Sequence, residues 1–552
     1  MQGQMMDYQL TLTPILERAR RMFSNKEIVT KAGPTLERYT YGQMIERAGR
    51  LANALEKLGV KRGDRVATFA WNNSRHFEIY WAVPCMGAVL HPLNLRLPGD
   101  QIAYIINHAE DQVLFVDPSL LPGVEKLAPH LKSVRHYVVM GDKVPETTLS
   151  PVHAYEDLVR DASPDYPWPH LHENDAAGMC YTSGTTGNPK GVVYSHRAIY
   201  LHSLGSSMAD TLGITERDTF LPVVPMFHVM AWGTPFTCTM VGAKLVFPGP
   251  HLQPRDLAEL MQAEKVTLTA GVPTLWFGLL ALLDKEHYDL SSLRGMIVGG
   301  AAAPQSMIEA YEKKHGLNVI HAWGMTEMTP LGTVCILRGH QLGLPEAERF
   351  AIRSKQGVPP PPVEIRAVDE NGKEAPWDGR TFGELQVRGP WIISSYYKDD
   401  RSAQSFMDGW FRTGDVVTID SDGFVQIVDR TKDVIKSGGE WISSQDLENA
   451  IMSHPKVLEA AVIAVAHAKW QERPLACVVP KPDFKDSITK EEIVEHLRPR
   501  FPAMYLPDVI VFIEAVPKTS VGKFDKKVLR QTYRDFVFGV PADEQSTKEK
   551  SS

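Results

Sequence analysis

The stretch YTSGTTGNPKGVVYSH, from Tyr181 to His196, packs glycines, hydroxyls and one lysine into a single segment. Glycines lose the most backbone freedom on folding, so a run this rich in them needs a purpose. Backbone N–H groups freed by Gly184 and Gly187, the hydroxyls of Thr182, Ser183, Thr185 and Thr186, and the Lys190 ammonium together make a cradle for an anion. It is not the P-loop signature, which needs four residues between its first glycine and Gly-Lys-Ser/Thr. Here Lys190 follows Asn188-Pro189 and precedes Gly191.

Four other stretches carry chemistry. HAWGMTE (321–327) puts an aromatic ring, a threonine and a carboxylate on a glycine-containing turn after a strand. An indole face can stack on a purine, and a carboxylate suits Mg²⁺, which takes hard oxygen ligands. WFRTGD (410–415) ends on Asp415, a carboxylate able to accept two hydrogen bonds from a ribose diol. PMFHV (225–229) sets His228 among apolar neighbours, and PKTSVGKFDKK (517–527) is a lysine-rich run in which Lys526 and Lys527 read as a solvated face.

Together these stretches resemble the adenylate-forming superfamily of acyl-CoA synthetases, peptide-synthetase adenylation domains and firefly luciferase, over residues 20–535. The resemblance implies that 182–190 binds the β- and γ-phosphates of ATP, and that Glu327, with Thr182, holds Mg²⁺. It implies further nucleotide contacts from Gly300, Ala301 and Ala302 on the adenine side, and from His321, Ala322, Trp323 (stacking), Gly324, Met325 and Thr326 (phosphate). Asp415, Ile427 and Arg430 take the ribose and phosphate side, and Lys432 is the residue about which a small C-terminal domain swings. Lys523 is then the lysine that enters the site for adenylation, with Glu327 and His228 as its catalytic companions. Gly438, Gly439, Glu440 and Trp441 line the coenzyme A tunnel, whereas His196 is structural. His228, Trp232, Gly233, Gly299, Gly324 and Pro330 form the acyl pocket.

The implied activity joins a carboxylic acid to CoA through an acyl-adenylate, with ATP, Mg²⁺ and CoA as cofactors. No arginine or lysine lies in the expected pocket walls 226–236, 298–304 and 324–332, so a short or medium apolar monocarboxylic acid is expected. Taken whole, the chain is similar to medium-chain fatty acyl-CoA ligases and 3-methylmercaptopropionate-CoA ligases, and a thioether acid would suit the methionines of those walls. Two alternatives stay open: an adenylating enzyme with another acceptor, such as a carrier protein or luciferase-like oxygenation, and a nucleotide-binding relative without catalysis.

The elements that must hold these residues follow an α/β pattern. RVATFAWNN, SRHFEIYWAVPCMG and AVLHPLN read as a βαβ unit, and helix–strand alternation continues to about residue 330. After 355 a small β subdomain is expected, with strands around the Asn371-Gly372 turn. The charged, glycine-rich 428–441 reads as a linker or hinge. The expected fold class is α/β: a large N-terminal domain (1–431) of layered α/β subdomains plus the small β subdomain, then a small mobile α+β C-terminal domain (432–540) and a disordered tail (541–552).

The 552 residues exceed one core. A net charge of −7 argues against nucleic acid. No apolar run reaches the ~18 residues of a membrane span, and no basic-then-apolar leader is read at the N-terminus. Five scattered cysteines, without a CxxC pair, read as core filler in a reducing cytoplasm rather than as disulfides or a zinc site. Beyond the carboxylic acid, ATP and CoA, the one partner expected is a possible second copy of the chain.

Overall fold

The computed structural model describes residues 1–182, 188–431, 433–437, 440–485, 487–518, 524–534 and 536, with the backbone alone at Arg401, Glu440 and Trp441. Ser183, Gly184, Thr185, Thr186, Gly187, Lys432, Gly438, Gly439, Lys523 and the tail 541–552 therefore lie outside the described residues. By the density of internal contacts the chain forms two compact units. The first is Met1–Ala303, Met307–Glu364 and Arg388–Phe411; the second is Pro304–Ser306, Ile365–Val387 and Arg412–Ser552.

The first unit is built on two sheets. A seven-stranded sheet runs in the order Val152–Ala154, His136–Val139, Asp111–Val116, Arg65–Phe69, Val89–Pro92, Ala176–Tyr181, Gly191–Ser195. Arg65–Phe69 lies parallel to Val89–Pro92, joined by helix Ser74–Cys85, which is the βαβ unit expected. The helix starts at Asn73, whose side chain accepts from the His76 N–H. The last pair, Ala176–Tyr181 with Gly191–Ser195, is antiparallel, so the phosphate-type segment is the loop of an edge hairpin.

The second sheet has eight strands, in the order Leu331–Val334, Val319–Gly324, Gly295–Val298, Leu268–Gly271, Thr219–Pro222, Lys244–Phe247, Glu27–Ala32, Thr35–Thr40. Its inner pairs are parallel, and antiparallel hairpins close both edges. Parallel strands covered on both faces read as near-continuous apolar runs. Leu268–Gly271 and Gly295–Val298 are buried at every position. Helices Pro254–Ala263 and Pro273–Leu283 bring Leu257, Met261, Trp276 and Leu279 to the core beside Val298 and Tyr311.

Most of strands Glu364–Val368, Gly383–Arg388 and Trp410–Ile419, and all of Val425–Arg430, belong to the second unit, and the four run side by side. The Asn371-Gly372 turn forms, with Gly372 at φ 79°, but its second arm is a single bridge from Val368 to Glu374 rather than a strand. The segment read as a linker holds secondary structure: Ile435–Ser437 pairs antiparallel with Glu440–Ile442. Alongside lie Val457–His467, Gln471–Pro480 and Val509–Phe512, packed on helices Ser444–Met452 and Lys490–Leu497. Thr489 and Glu492 form a reciprocal cap at the start of the latter helix.

All five cysteines are free and buried. Among the described residues, no helix is long and apolar enough to cross a membrane.

Candidate active site

The edge hairpin fixes both ends of the glycine-rich loop. The Thr182 N–H donates to the Lys190 carbonyl at 2.9 Å. Its hydroxyl accepts from the Lys190 N–H at 3.4 Å. A Cβ at Gly191 would meet the Tyr181 ring at 3.0 Å and Tyr397 at 3.2 Å, so the strand after the loop starts on a residue without a side chain. The stem borders a cleft of about 260 Å³ lined by Tyr104, His108, Lys190, Tyr397 and Lys398. His108 bonds the Tyr181 hydroxyl at 2.7 Å, which anchors the last residue before the loop.

Lys190 does not point into empty solvent. Its Nζ sits 4.4 Å from the ring centroid of Tyr396, a cation–π contact. The Tyr396 hydroxyl donates to Glu327 Oε1 at 2.7 Å, and Glu327 is only 7 % exposed. Burial, and then the neighbouring Glu327 charge, push the Tyr396 hydroxyl well above the usual phenol range, so it remains a donor. Within the first unit a tyrosine thus joins the loop lysine to the expected metal carboxylate. The Glu327 carbonyl accepts from the Ile393 N–H at 2.8 Å, and the Thr326 carbonyl from the Tyr194 hydroxyl at 2.8 Å. The Glu327 carboxylate and the Thr182 hydroxyl are hard oxygen donors of the kind Mg²⁺ takes, so the donor chemistry fits that ion.

The strand before Glu327 carries residues expected on the adenine side. The Trp323 indole lies on the neighbouring strand, where a Cβ at Gly332 would meet it at 2.5 Å. A Cβ at Gly324 would come within 2.0 Å of the Pro330 carbonyl, which only glycine permits. That approach lets the Met325 N–H donate to the same carbonyl at 3.1 Å. His321 is buried, its Nδ1 bonded to the Ser354 carbonyl at 3.0 Å and its Nε2 accepting from the Ala303 N–H at 3.3 Å. Burial lowers its pKa to about 4. His321 therefore pins Ala303, and with it the turn of Gly300, Ala301 and Ala302, to strand Val319–Gly324, where Ala322 is also buried.

The expected acyl wall has an unusual backbone. Val229, Met230, Ala231 and Trp232 all have positive φ, between 45° and 57°, and Gly233 continues at 71°. A left-handed turn costs an L-residue roughly 1–2 kcal/mol, and strain of this kind concentrates at functional sites. The turn begins at His228, whose N–H donates to the Pro225 carbonyl at 2.9 Å. It places the Trp232 ring 3.1 Å from where a Cβ of Gly299 would be, and Gly233 against the ring of His202. Nothing in the spelling PMFHVMAWG announces this conformation. Pro330 follows Thr329, whose hydroxyl donates to the Trp391 carbonyl at 2.8 Å. His196 is buried, with Nδ1 accepting from the Leu12 N–H at 3.3 Å, which is a structural role.

In the second unit, Asp415 is buried and its Oδ1 lies 2.7 Å from Arg430 Nε. The Asp415 N–H donates to Thr413 Oγ1 at 3.1 Å, and Arg430 also donates to the Thr413 carbonyl at 3.3 Å. The two residues come from paired strands in direct register, with Ile427 opposite Val417. At the start of the expected CoA segment, Lys436 and Ser437 are held in place: the Lys436 N–H, just before the segment, by Glu472 at 2.8 Å, and the Ser437 hydroxyl by Arg473 at 3.1 Å.

One reading is corrected. Lys526 is not part of a solvated face: its Nζ lies 2.7 Å from Glu448 Oε1, with the two side chains 10 % and 8 % exposed. Lys527 is exposed as expected. Two residues that complete these clusters, Tyr396 and Glu448, were missed. The only sequence signal for the first was the tyrosine pair Tyr396-Tyr397 after the β subdomain.

Comparison with known proteins gives the same outline. The family described as AMP-binding enzyme matches residues 16–397, and its C-terminal domain matches 446–523. A long-chain-fatty-acid–CoA ligase of Thermus thermophilus is 50% identical over 97% of this chain and 98% of its own. A 3-methylmercaptopropionyl-CoA ligase of Ruegeria lacuscaerulensis is 45% identical over 98% of this chain and 100% of its own. Among solved structures, the anthranilate CoA ligase AuaEII with anthranoyl-AMP superposes with a TM-score of 0.85 at 27% identity, covering 97% of this chain and 99% of that one.

Proposed function

The chain belongs to the AMP-binding enzyme family, and on that premise we propose that it is an AMP-forming acyl-CoA ligase acting on an apolar monocarboxylic acid of short or medium length, thioether acids included. The observation that carries this is the Lys190–Tyr396–Glu327 cluster at the stem of the glycine-rich loop. It sets a cation and an oxygen donor side by side, as a triphosphate requires.

A carboxylate is a poor acyl donor, because its leaving group would be oxide. In the first half-reaction a carboxylate oxygen attacks the α-phosphorus of ATP, and pyrophosphate leaves with the electron pair of the broken P–O bond. The protein's contribution is positioning and charge stabilisation. Lys190 and the loop hold the β- and γ-phosphates, Trp323 stacks the adenine, and Asp415 with Arg430 takes the ribose side. Lys523 supplies positive charge between the acid and the α-phosphate. Mg²⁺, held by Glu327 and Thr182, would offset phosphate charge. In the second half-reaction the CoA thiolate attacks the acyl carbon and AMP leaves. Between the two, the region after Lys432 turns, withdrawing Lys523 and presenting 437–441 to the thiol.

The pocket walls support an apolar acid. Met226, Phe227 and Met230 are buried there, and the nearest wall stretches contain no cation to pair with a second carboxylate. Both ligase relatives reported above act on acids with an apolar or thioether chain, by their names. A cytoplasmic, homodimeric enzyme completes the proposal; the five unpaired cysteines suit a reducing compartment, and sedimentation tests the dimer. CoA-dependent AMP formation across C2–C12 and thioether acids tests the function.

A further inference from the structure

Around position 432 the second unit holds a buried set of charges that the reaction above does not use. Asp429 lies near the end of strand Val425–Arg430. Its Oδ2 accepts from the Ser444 N–H at 2.9 Å and from the Ser444 hydroxyl. Ser444 opens helix Ser444–Met452, and one turn later on the same face stands Glu448. Glu448 Oε1 accepts from the Val462 N–H at 2.7 Å and pairs with Lys526 Nζ at 2.7 Å. The same ammonium donates to Ser444 Oγ at 2.5 Å. Burial works against charge on Lys526, but Glu448 and Asp429 outweigh it and hold its pKa above the ordinary lysine value.

Lys526 starts helix Lys526–Thr532, and Arg530, one turn on, pairs with Asp433. The stem of the segment before it is fixed too. Lys518 bridges Phe524, the Asp525 N–H donates to the Pro517 carbonyl at 2.7 Å, and Lys518 Nζ lies 2.6 Å from Glu459. Lys526 therefore ties helix Ser444–Met452, beyond Lys432, to the chain three positions after Lys523, and through the Ser444 hydroxyl reaches Asp429, three positions before Lys432. Buried ion pairs contribute little net stability, because desolvation offsets the attraction; their best-attested use is to specify one arrangement over another.

We propose that Asp429, Ser444, Glu448 and Lys526 form a latch across position 432 that holds one of the enzyme's two working arrangements and opens when the C-terminal region turns. This rests on the reading that the turn at Lys432 separates the half-reactions. Asp429 precedes the turning point and its three partners follow it, so the Asp429–Ser444 bonds cannot all survive a large rotation there. Asp433 and Arg530 both follow it and travel together.

The test measures the half-reactions separately. Pyrophosphate–ATP exchange reports adenylate formation, and acyl transfer from preformed acyl-adenylate to CoA reports thioester formation. Ser444→Ala removes the hydroxyl that bridges Asp429 and Lys526, and Lys526→Met removes the charge at similar volume. Both variants are expected to shift the ratio of the two rates about tenfold, in the same direction. Lys526→Arg is expected to restore it most of the way. A ratio within twofold of the parent, or equal losses in both half-reactions, overturns the latch and leaves a structural pillar. Lys523→Ala separates the underlying reading: loss of exchange with transfer retained supports it. Retained exchange contradicts the role of Lys523, while the Ser444→Ala ratio still decides the latch.

Discussion

Tyr396 changes how Lys190, the lysine proposed to hold phosphate, is understood. Alone, Lys190 is a long, strongly hydrated cation; here its ammonium rests on a ring whose hydroxyl is bound to Glu327. Groups that orient a metal ligand commonly change metal affinity 10–100-fold. Tyr396→Phe keeps the ring face and loses the bond, so the Mg²⁺ concentration for half-maximal rate is expected to rise about tenfold while kcat changes little. Magnesium titration of AMP formation checks this, and an unchanged midpoint would count against Glu327 as a ligand. Lys190→Ala is expected to slow pyrophosphate exchange about 100-fold and leave acyl transfer from preformed adenylate nearly intact. At this scale the sequence was partly legible. Lys190, Glu327 and Asp415 stood out as side-chain types that could meet phosphate, metal or ribose, and Arg430 through the family resemblance. Tyr396 did not, since its value depends on a partner 69 positions away. Nor could Lys526 be told from Lys527: adjacent lysines look alike until a helix buries one of them.

Elements explain why particular backbones must be bare. The Trp323 ring is supported by Gly332 on the paired strand, and a Cβ there would meet it at 2.5 Å. Gly332→Ala is therefore expected to displace the indole and raise the KM for ATP several-fold, with a smaller effect on kcat. If KM does not move, Trp323 is not an adenine platform. Hydrophobic alternation and turn residues made the βαβ units readable, because local propensity and tertiary packing agree there. They disagree at Val229–Trp232, where a β-branched residue and an indole adopt positive φ. No local rule favours that, so only the surrounding walls can impose it. The Ile435–Ser437 and Glu440–Ile442 pair was hidden for a simpler reason. Two strands of three residues around a Gly-Gly pair are too short to show a period.

For the whole molecule, several buried histidines make stability depend on pH in a defined direction. Burial lowers His76, His196 and His321 to about 4 and His202 to about 3. The unfolded chain takes up these protons near the ordinary histidine value of 6.5 and the folded chain does not. Their contribution is therefore complete above about 6.5 and is lost as pH falls toward 4. At pH 5 each costs about 2 kcal/mol relative to pH 8. Denaturant melts at the two pH values check this: His321→Gln is expected to flatten the dependence, and equal slopes in variant and parent would contradict it. The α/β class and the family were legible in the full chain because widely separated motifs had to coexist. The division of compact units near Phe411–Arg412 was not, since it reflects contact density that no motif reports. The central claim is that this chain activates an apolar acid and passes it to CoA. The most direct test is AMP release measured with and without CoA across C2–C12 monoacids, thioether acids and matched dicarboxylates. The expected result is turnover that requires acid and rises with CoA, with apolar and thioether monoacids preferred over dicarboxylates by at least about tenfold. AMP release that does not rise with CoA, or a preference for dicarboxylates, would contradict it.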